Sequence, residues 1–543
     1  MKYADIIIRG GSFFAGIDID ADYDYIIITG NKICSIGKGD NWKNYKGENT
    51  KEIVLTKDQL VVPGFHDAHV HLLMSSLNYN FVNLIESESE EDAARRVYEF
   101  SKTIPDDEWV IGMNWYHMGW KEKKLPTKES IDKYITDRPV FLFNTEVHGA
   151  WVNSKALEVL GIDDNTPDPE NGEIVRDSNG KATGFLNEKA MGLGAVKALK
   201  FNIKREKELI QKVVKVYSEN GVTAIQDMRP ELGYDLGQYE SFSELSKENK
   251  LDIRVYSAAN LFDSIDEIKS AQEKYNDEIF KICLLKMYMD GVPTTHTAMI
   301  MEPYKDMPDY TGEPMNELGK MKYHIEEAHR NGMSVKIHCC GDRAVKETLD
   351  MYEGAVKKYG ETMSRHAIEH VEIIQPDDIL RMQKLGVLAS MQPEHMTSMV
   401  EKYSDNPYLD YYTDKQMKTG WKFRTMLDNG VKVEFGTDCP IVDINPMVNI
   451  YRAVTRKFDD GNPPEGFLPE EKISVEEAIH CYTYNSAYGV RREHEIGTLE
   501  VGKYADIAIL DTNILNCDVE NIKSSKVLYT IMNGRITYNH ENA

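Results

Sequence analysis

Apolar and polar positions repeat in two styles along this chain. Over the first 60 residues, β-branched runs such as ADIIIRGGSFF, YIIITGNKICSIG and KEIVLTKDQLVVPG are broken by Gly, Asn and Asp turns, the pattern of short strands. The end of the chain returns to that style in GTLEVGKYADIAILD and KVLYTIMNGRITYN. The two β-rich ends predict one small β-sandwich assembled from both termini, residues 1–60 and 491–543.

In the middle, short apolar runs alternate with helical stretches, as in a parallel sheet with crossover helices. The clearer runs are LVVPGF (60–65), VTAIQD (222–227), DIRVYSA (252–258) and ICLLKMY (282–288). Four more follow: SVKIHC (334–339), RHAIEH (365–370), VLASMQ (387–392) and VKVEFGTD (431–438). Eight strands with helical connections predict an α/β fold, a (β/α)8 TIM barrel over residues 61–490. The helical run REKELIQKVVKVYSENG ends on Gly221, just before the second strand, as such a unit requires. Roughly 150 residues separate the first strand from the second, far more than one helix and its loops. They predict an inserted subdomain at about 75–200, on the loop after the first barrel strand. Its acidic run ESESEED (86–92) reads as a solvated helix start.

Composition narrows the partners. Hydrophobic residues at 41% and charged residues at 28% describe a soluble globular protein, and 543 residues allow two or three structural units. The 64 basic and 89 acidic residues leave a formal charge of −25, which argues against a nucleic-acid partner. No apolar run approaches the roughly 20 residues that span a bilayer, and MKYADIIIRGG lacks a leader pattern. No membrane partner and a cytoplasmic location are therefore expected. Seven scattered cysteines with no CxxC pair speak against a disulfide framework or a structural zinc knuckle.

The chemistry begins at PGFHDAHVHL, where His69 and His71 stand one residue apart. Alternate residues of a strand share a face roughly 6.5 Å apart, so two imidazoles there can converge on one metal ion. His66 lies off that parity with His69 and reads as structural. His338 closes SVKIHC, His370 closes RHAIEH and Asp438 closes VKVEFGTD. A lone histidine at a strand end is usually a satisfied core residue. Four histidines and an aspartate at the C-terminal ends of four strands of one barrel would instead face a single pocket. Nitrogen and carboxylate donors without thiolate suit zinc or a similar divalent ion at a catalytic site.

These residues, with WVNSKAL, GEIVRDSNGKATGFLNE, KMYMDG, HCCGDRAV, RHAIEHVEII, MQPEH, EFGTDCPI and IGTLEVGKYADIAILD, resemble the amidohydrolase superfamily. The finer features look like its YtcJ-like branch, amidohydrolase family 3, and the resemblance covers essentially the whole chain. It implies that His69 and His71 hold the more buried of two metal ions, and His338 and His370 the more exposed one. It also implies that Asp438 binds the buried ion and is the catalytic general acid and base. Lys286, in ICLLKMYMDG, falls where two-metal members carry a carboxylated lysine bridging both ions. The alternatives are a free Lys286 beside a single ion, or a buried partner of Asp290 or of another acid. The implied cofactor is one or two zinc ions.

Other residues are candidates for substrate binding. Asp342 and Arg343 in HCCGDRAV shape the site by resemblance; the other reading is an ion pair capping the next helix. His148, in NTEVHGAWVNSKAL, matches a histidine of the branch, although Glu146 and Val147 replace its usual Asp-Gly. Glu394 and His395 in MQPEH end the seventh predicted strand, and His296 in VPTTHTAM is either a loop residue or a substrate contact. Trp115, Trp120 and Trp151 are either an apolar binding wall or packing residues.

The resulting expectation is a metal-dependent hydrolase that cleaves a C–N bond of a small amide with a metal-activated hydroxide. The alternative on the same fold is a deaminase or cyclic-amide hydrolase. A catalytically inactive assembly or regulatory protein would show missing ligand positions, and here each is filled. The expected partner is a small-molecule substrate; a homodimer is one assembly such enzymes adopt.

Overall fold

The computed structural model describes residues 3–145, 149–169, 172–229, 237–397 and 400–542. Two compact units divide the chain: Met1–Val70, Val214–Met228 and Phe242–Ala543 form one, His71–Val213 and Arg229–Ser241 the other. Among the described residues no helix is long and apolar enough to cross a membrane.

The first unit holds two sheets. One has seven strands, ordered Arg535–Asn539, Val527–Met532, Ile507–Leu510, Lys51–Pro63, Ile6–Phe13, Tyr25–Thr29 and Lys32–Gly37. The two chain ends meet on the strand Lys51–Pro63, whose Leu60–Pro63 pairs antiparallel with Ile507–Leu510. Earlier residues of that strand pair parallel with Ile6–Gly10. Strand side chains alternate between faces, so the isoleucine runs line both sides. Ile6, Ile8, Ile26, Ile28, Ile507 and Ile509 share one core, while Ile7, Tyr25 and Ile27 form a smaller one on the other face.

The other sheet is the barrel, a (β/α)8 fold. Its parallel strands are Phe65–Val70, Val222–Asp227, Arg254–Asn260, Phe280–Tyr288, Ser334–Cys339, Ala367–His370, Leu388–Met391 and Val433–Phe435, each pairing with the next. The first and eighth are tied just beyond Phe435. Asp67 accepts hydrogen bonds from the Thr437 N–H (2.9 Å) and hydroxyl (2.6 Å). The Asp438 N–H donates to the His69 carbonyl at 2.7 Å.

The first barrel strand differs from the expected 60–65. Leu60–Pro63 belongs to the terminal sheet, and the barrel strand begins at Phe65. Between them Gly64 passes so close to Thr223 that a Cβ would lie 2.2 Å from its hydroxyl. An unbroken apolar run cannot reveal that two buried strands lie end to end. The eighth strand also stops at Phe435, so Asp438 sits on the loop that follows it.

The second unit is built on a six-stranded sheet, ordered Gly172–Arg176, Ala182–Glu188, Gly149–Val152, Val140–Asn144, Val110–Trp115 and Val82–Asn83. The acidic run opens the helix Glu90–Ser101, where the Ser89 hydroxyl accepts from the Asp92 N–H and three acids occupy the first turn. Both features favour a helix N-terminus, by capping and by the dipole. Trp115, Trp120 and Trp151 are fully buried in this unit's core beside Phe185. Their indole N–H groups bond the Leu142 carbonyl, the Ser87 hydroxyl and the Thr127 carbonyl, at 2.8–3.1 Å. They are packing residues of this unit.

Candidate metal centre

The strand-end histidines and Asp438 converge. Nε2 of His69 lies 3.4 Å from Oδ1 of Asp438. The ring of His370 is centred 4.9 Å from that of His69 and 4.2 Å from that of His338. Donor atoms of His370, His395 and Asp438 all lie within 4.8 Å of one another.

The backbone turns sharply to achieve this. His370 (φ 72°), Val371 (φ 47°) and Asp438 (φ 59°) all adopt the left-handed region. Each such residue costs about 1–3 kcal/mol and persists only where its neighbours fix it. Here the Val371 N–H is held by the carbonyls of Cys339 (3.1 Å) and Glu369 (3.0 Å). For a β-branched residue the conformation is especially unfavourable.

Beneath the cluster the barrel interior is charged. Nδ1 of His69 shares a hydrogen bond with Oε2 of Glu369. The other Glu369 oxygen lies 3.0 Å from the Lys336 ammonium, which donates to Glu434 (2.6 Å) and the Ala68 carbonyl (3.3 Å). Glu434 also accepts from Gln226 at 3.2 Å. Burial pushes the Glu369 carboxyl up, but Lys336 and His69 outweigh it and hold it well below the usual range. On the imidazoles burial acts in the other direction. Burial, reinforced by the Lys286 ammonium, lowers His69 to about 4 and His338 to about 3. His370 is likewise pulled well below its usual value by burial and by His338. Neutral imidazole is the form that ligates a metal.

These donors fit a divalent ion: neutral imidazole nitrogens and one carboxylate, buried and converging, with no thiolate needed. The model of the Amidohydrolase family matches residues 56–538. The chain belongs to the amidohydrolase family. It is 27% identical to Protein LONG AFTER FAR-RED 3 of Arabidopsis thaliana, over 98% of this chain and 92% of that one. It is 26% identical to the Putative amidohydrolase YtcJ of Bacillus subtilis, over 98% of each. It is 25% identical to N-substituted formamide deformylase of Arthrobacter pascens, over 94% of each. An uncharacterized metal-dependent hydrolase from Pyrococcus furiosus superposes with a TM-score of 0.77 at 25% identity, over 94% of this chain and all of that one.

Within this amidohydrolase, Lys286 is buried on the fourth barrel strand, in register with Lys336 and 5.2 Å from the Tyr288 ring. Asp290, its alternative partner, accepts three backbone N–H bonds, from Met299 (2.8 Å), Gly341 (2.9 Å) and Cys340 (3.0 Å). Asp290 therefore shapes the loops around His338.

The candidate substrate residues that lie among the described residues are tied into structure. Asp342 opens the helix Asp342–Tyr359, and its carboxylate accepts from the Met301 N–H (2.8 Å) and the Gln375 amide (2.6 Å). Arg343 donates to the carbonyls of Thr311 (3.2 Å) and Gly312. The two bind different partners, so the alternative reading, an ion pair capping the next helix, gives way to loop ties. His296 bonds Asp306 at 2.8 Å and packs edge-on against Tyr304 and Tyr411. Glu394 pairs with the buried Arg452 (2.7 Å) and lines a cavity of about 270 Å³ with Ile441, Val442 and Asn449. His148 lies outside the described residues.

Two participants were missed. Glu369 is a carboxylate inside an apolar strand, and a buried charge must be paired; that was the available signal. Gln392, whose Oε1 holds His370 Nδ1 at 2.8 Å, carried no such signal.

Proposed function

We propose that this amidohydrolase is a metal-dependent hydrolase that cleaves the C–N bond of a small amide, of the N-acyl or N-substituted formamide class. The convergence of His69, His370 and Asp438 on one buried point carries the reading. His69, His71, His338 and His370, with Asp438 and Lys286, are the residues that would hold one or two zinc ions. A divalent ion bound there would acidify water and polarise a carbonyl. Asp438 takes a proton at its carboxylate from the attacking water and delivers it to the leaving nitrogen. Glu369 and Gln392 fix the two imidazoles by their Nδ1 atoms, so that each presents Nε2. The named activity of the Arthrobacter pascens relative supports the substrate class.

The test is a product screen over N-substituted formamides, N-acyl amines, N-acyl amino acids, cyclic amides and amino-heterocycles, before and after chelation. A carboxylate and a substituted amine are the expected products, lost on chelation and restored by zinc, manganese or cobalt. Ammonia release would replace this reading with a deaminase. Full turnover by metal-free protein would overturn it altogether.

A further inference from the structure

We propose that His395 is a metal ligand, completing with His370 and Asp438 a donor set of three side chains from the sixth, seventh and eighth strand ends. The inference rests on reading this cluster as a metal centre, and it adds a residue to which the resemblance gives no ligand role. His395 lies in the short turn Pro393–Thr397 directly after the seventh barrel strand. That turn is held in place from outside. The Glu394 N–H donates to Asn449 at 3.0 Å, and the Glu394 carboxylate is paired with the buried Arg452.

Three histidines stand around Asp438, and hydrogen bonds at Nδ1 fix two of them: His69 turns Nδ1 to Glu369, and His370 turns Nδ1 to Gln392. His395 turns Nδ1 toward Oε1 of Glu372 at 3.8 Å, beyond hydrogen-bond length. The Tyr408 hydroxyl lies 3.3 Å from both oxygens of that carboxylate. An imidazole held through one nitrogen by a carboxylate or carbonyl, with the other nitrogen turned inward, is the usual support of a metal ligand. The inward nitrogens of His69 and His395 approach different oxygens of Asp438, at 3.4 and 3.7 Å. Those separations exceed an ordinary N–H···O bond. They are close to the roughly 3.4 Å expected between two donors about 2.1 Å from one tetrahedral zinc ion. The rings of His370 and His395 are parallel within 7°, with centres 5.8 Å apart, so the two present their donors side by side.

His338 behaves differently. Its Nε2 lies 3.2 Å from the Gly291 carbonyl and 3.4 Å from the Cys340 sulfur. That nitrogen is engaged by the loop that Asp290 organises, so a ligand role of His338 falls to its Nδ1, whereas the Nε2 of His395 faces the shared aspartate.

Zinc titration of metal-free protein by calorimetry, with cobalt spectra of the same samples, tests the assignment. The variants are His395→Ala, the more conservative His395→Gln, and His296→Ala as a control outside the cluster. His395→Ala and His395→Gln should each lose one site or bind zinc at that site at least about 10-fold more weakly, and should shift the visible cobalt bands. His296→Ala should match wild type. If wild-type protein binds no divalent ion, both this inference and the proposed function fall. If wild type binds zinc, and a folded His395 variant keeps the same stoichiometry, affinity within threefold and an unchanged cobalt spectrum, His395 is no ligand and the proposed function stands.

Discussion

The two ends of the barrel bury charge in opposite ways. At the end where the strands begin, Arg254 is fully buried and its donors are matched by neighbours. It pairs with Asp506 through two bonds (2.6 and 3.2 Å), and it reaches Asn533 (3.0 Å) and the Glu278 carbonyl (3.2 Å). That network joins the barrel to the terminal sheet. At the end where the strands finish, imidazoles crowd one aspartate at distances longer than a hydrogen bond, on backbone held in the left-handed region. The first arrangement is what a fold requires of a buried charge. The second spends conformational energy on bringing donors together, which supports the proposed site.

Substitutions at the two ends should therefore separate activity from stability. The largest effect is expected for Asp438→Asn. Asparagine tolerates the left-handed backbone, so the variant should fold. It cannot accept the proton, and kcat should fall by about 10²–10⁴-fold. Single-turnover rates beside a melting curve measure both; a rate within threefold of wild type would remove Asp438 from proton transfer.

Arg254→Met makes the opposite test. Removing one partner of a buried pair leaves Asp506 uncompensated and should cost about 3–5 kcal/mol of stability. Activity per folded molecule should not change. A denaturant titration showing a loss below 1 kcal/mol would mean that this end is not the saturated structural joint described above.

Glu369→Gln probes the layer between the ends. The amide oxygen can still accept from His69, but the charge beside Lys336 is gone. Zinc affinity should weaken by about 10–100-fold, the usual cost of losing a supporting carboxylate. An unchanged affinity with a lowered melting temperature would assign Glu369 to the scaffold.

How much of this was legible in the sequence follows the same division. The eight alternations of strand and helix were readable because each barrel strand is apolar and each crossover amphipathic. The boundary at Gly64 was not, since apolar pattern carries no information on which sheet a run joins. His69, His370 and Asp438 stood out because polar residues at apolar strand ends are costly unless they are used. The structure brings them together; their roles are the proposal above. Asp342 and Arg343 entered through the resemblance instead, and their partners lie far away in sequence: the Met301 N–H and the Gln375 amide for Asp342, and the Thr311 and Gly312 carbonyls for Arg343. Residue type shows that a buried polar group has a purpose, and only the fold shows whether that purpose is packing or chemistry.

His296 is the smallest and most discriminating case. It was open to two readings, loop residue or substrate contact. In the fold its Nε2 bonds Asp306, ten residues on in the same loop, and its ring is wedged between Tyr304 and Tyr411. The pair is partly exposed, at 22% for His296 and 39% for Asp306, so solvent screens it and its contribution should be under about 1 kcal/mol. Losing the ring also removes its contacts with the two tyrosines, which adds a comparable amount. His296→Ala should therefore lower the melting temperature slightly. The ratio of kcat/KM for two dissimilar amides should stay where wild type has it, because a loop tie acts on both substrates alike. A changed ratio at an unchanged melting temperature would show that His296 touches substrate, and would move the boundary between site and scaffold outward to this loop.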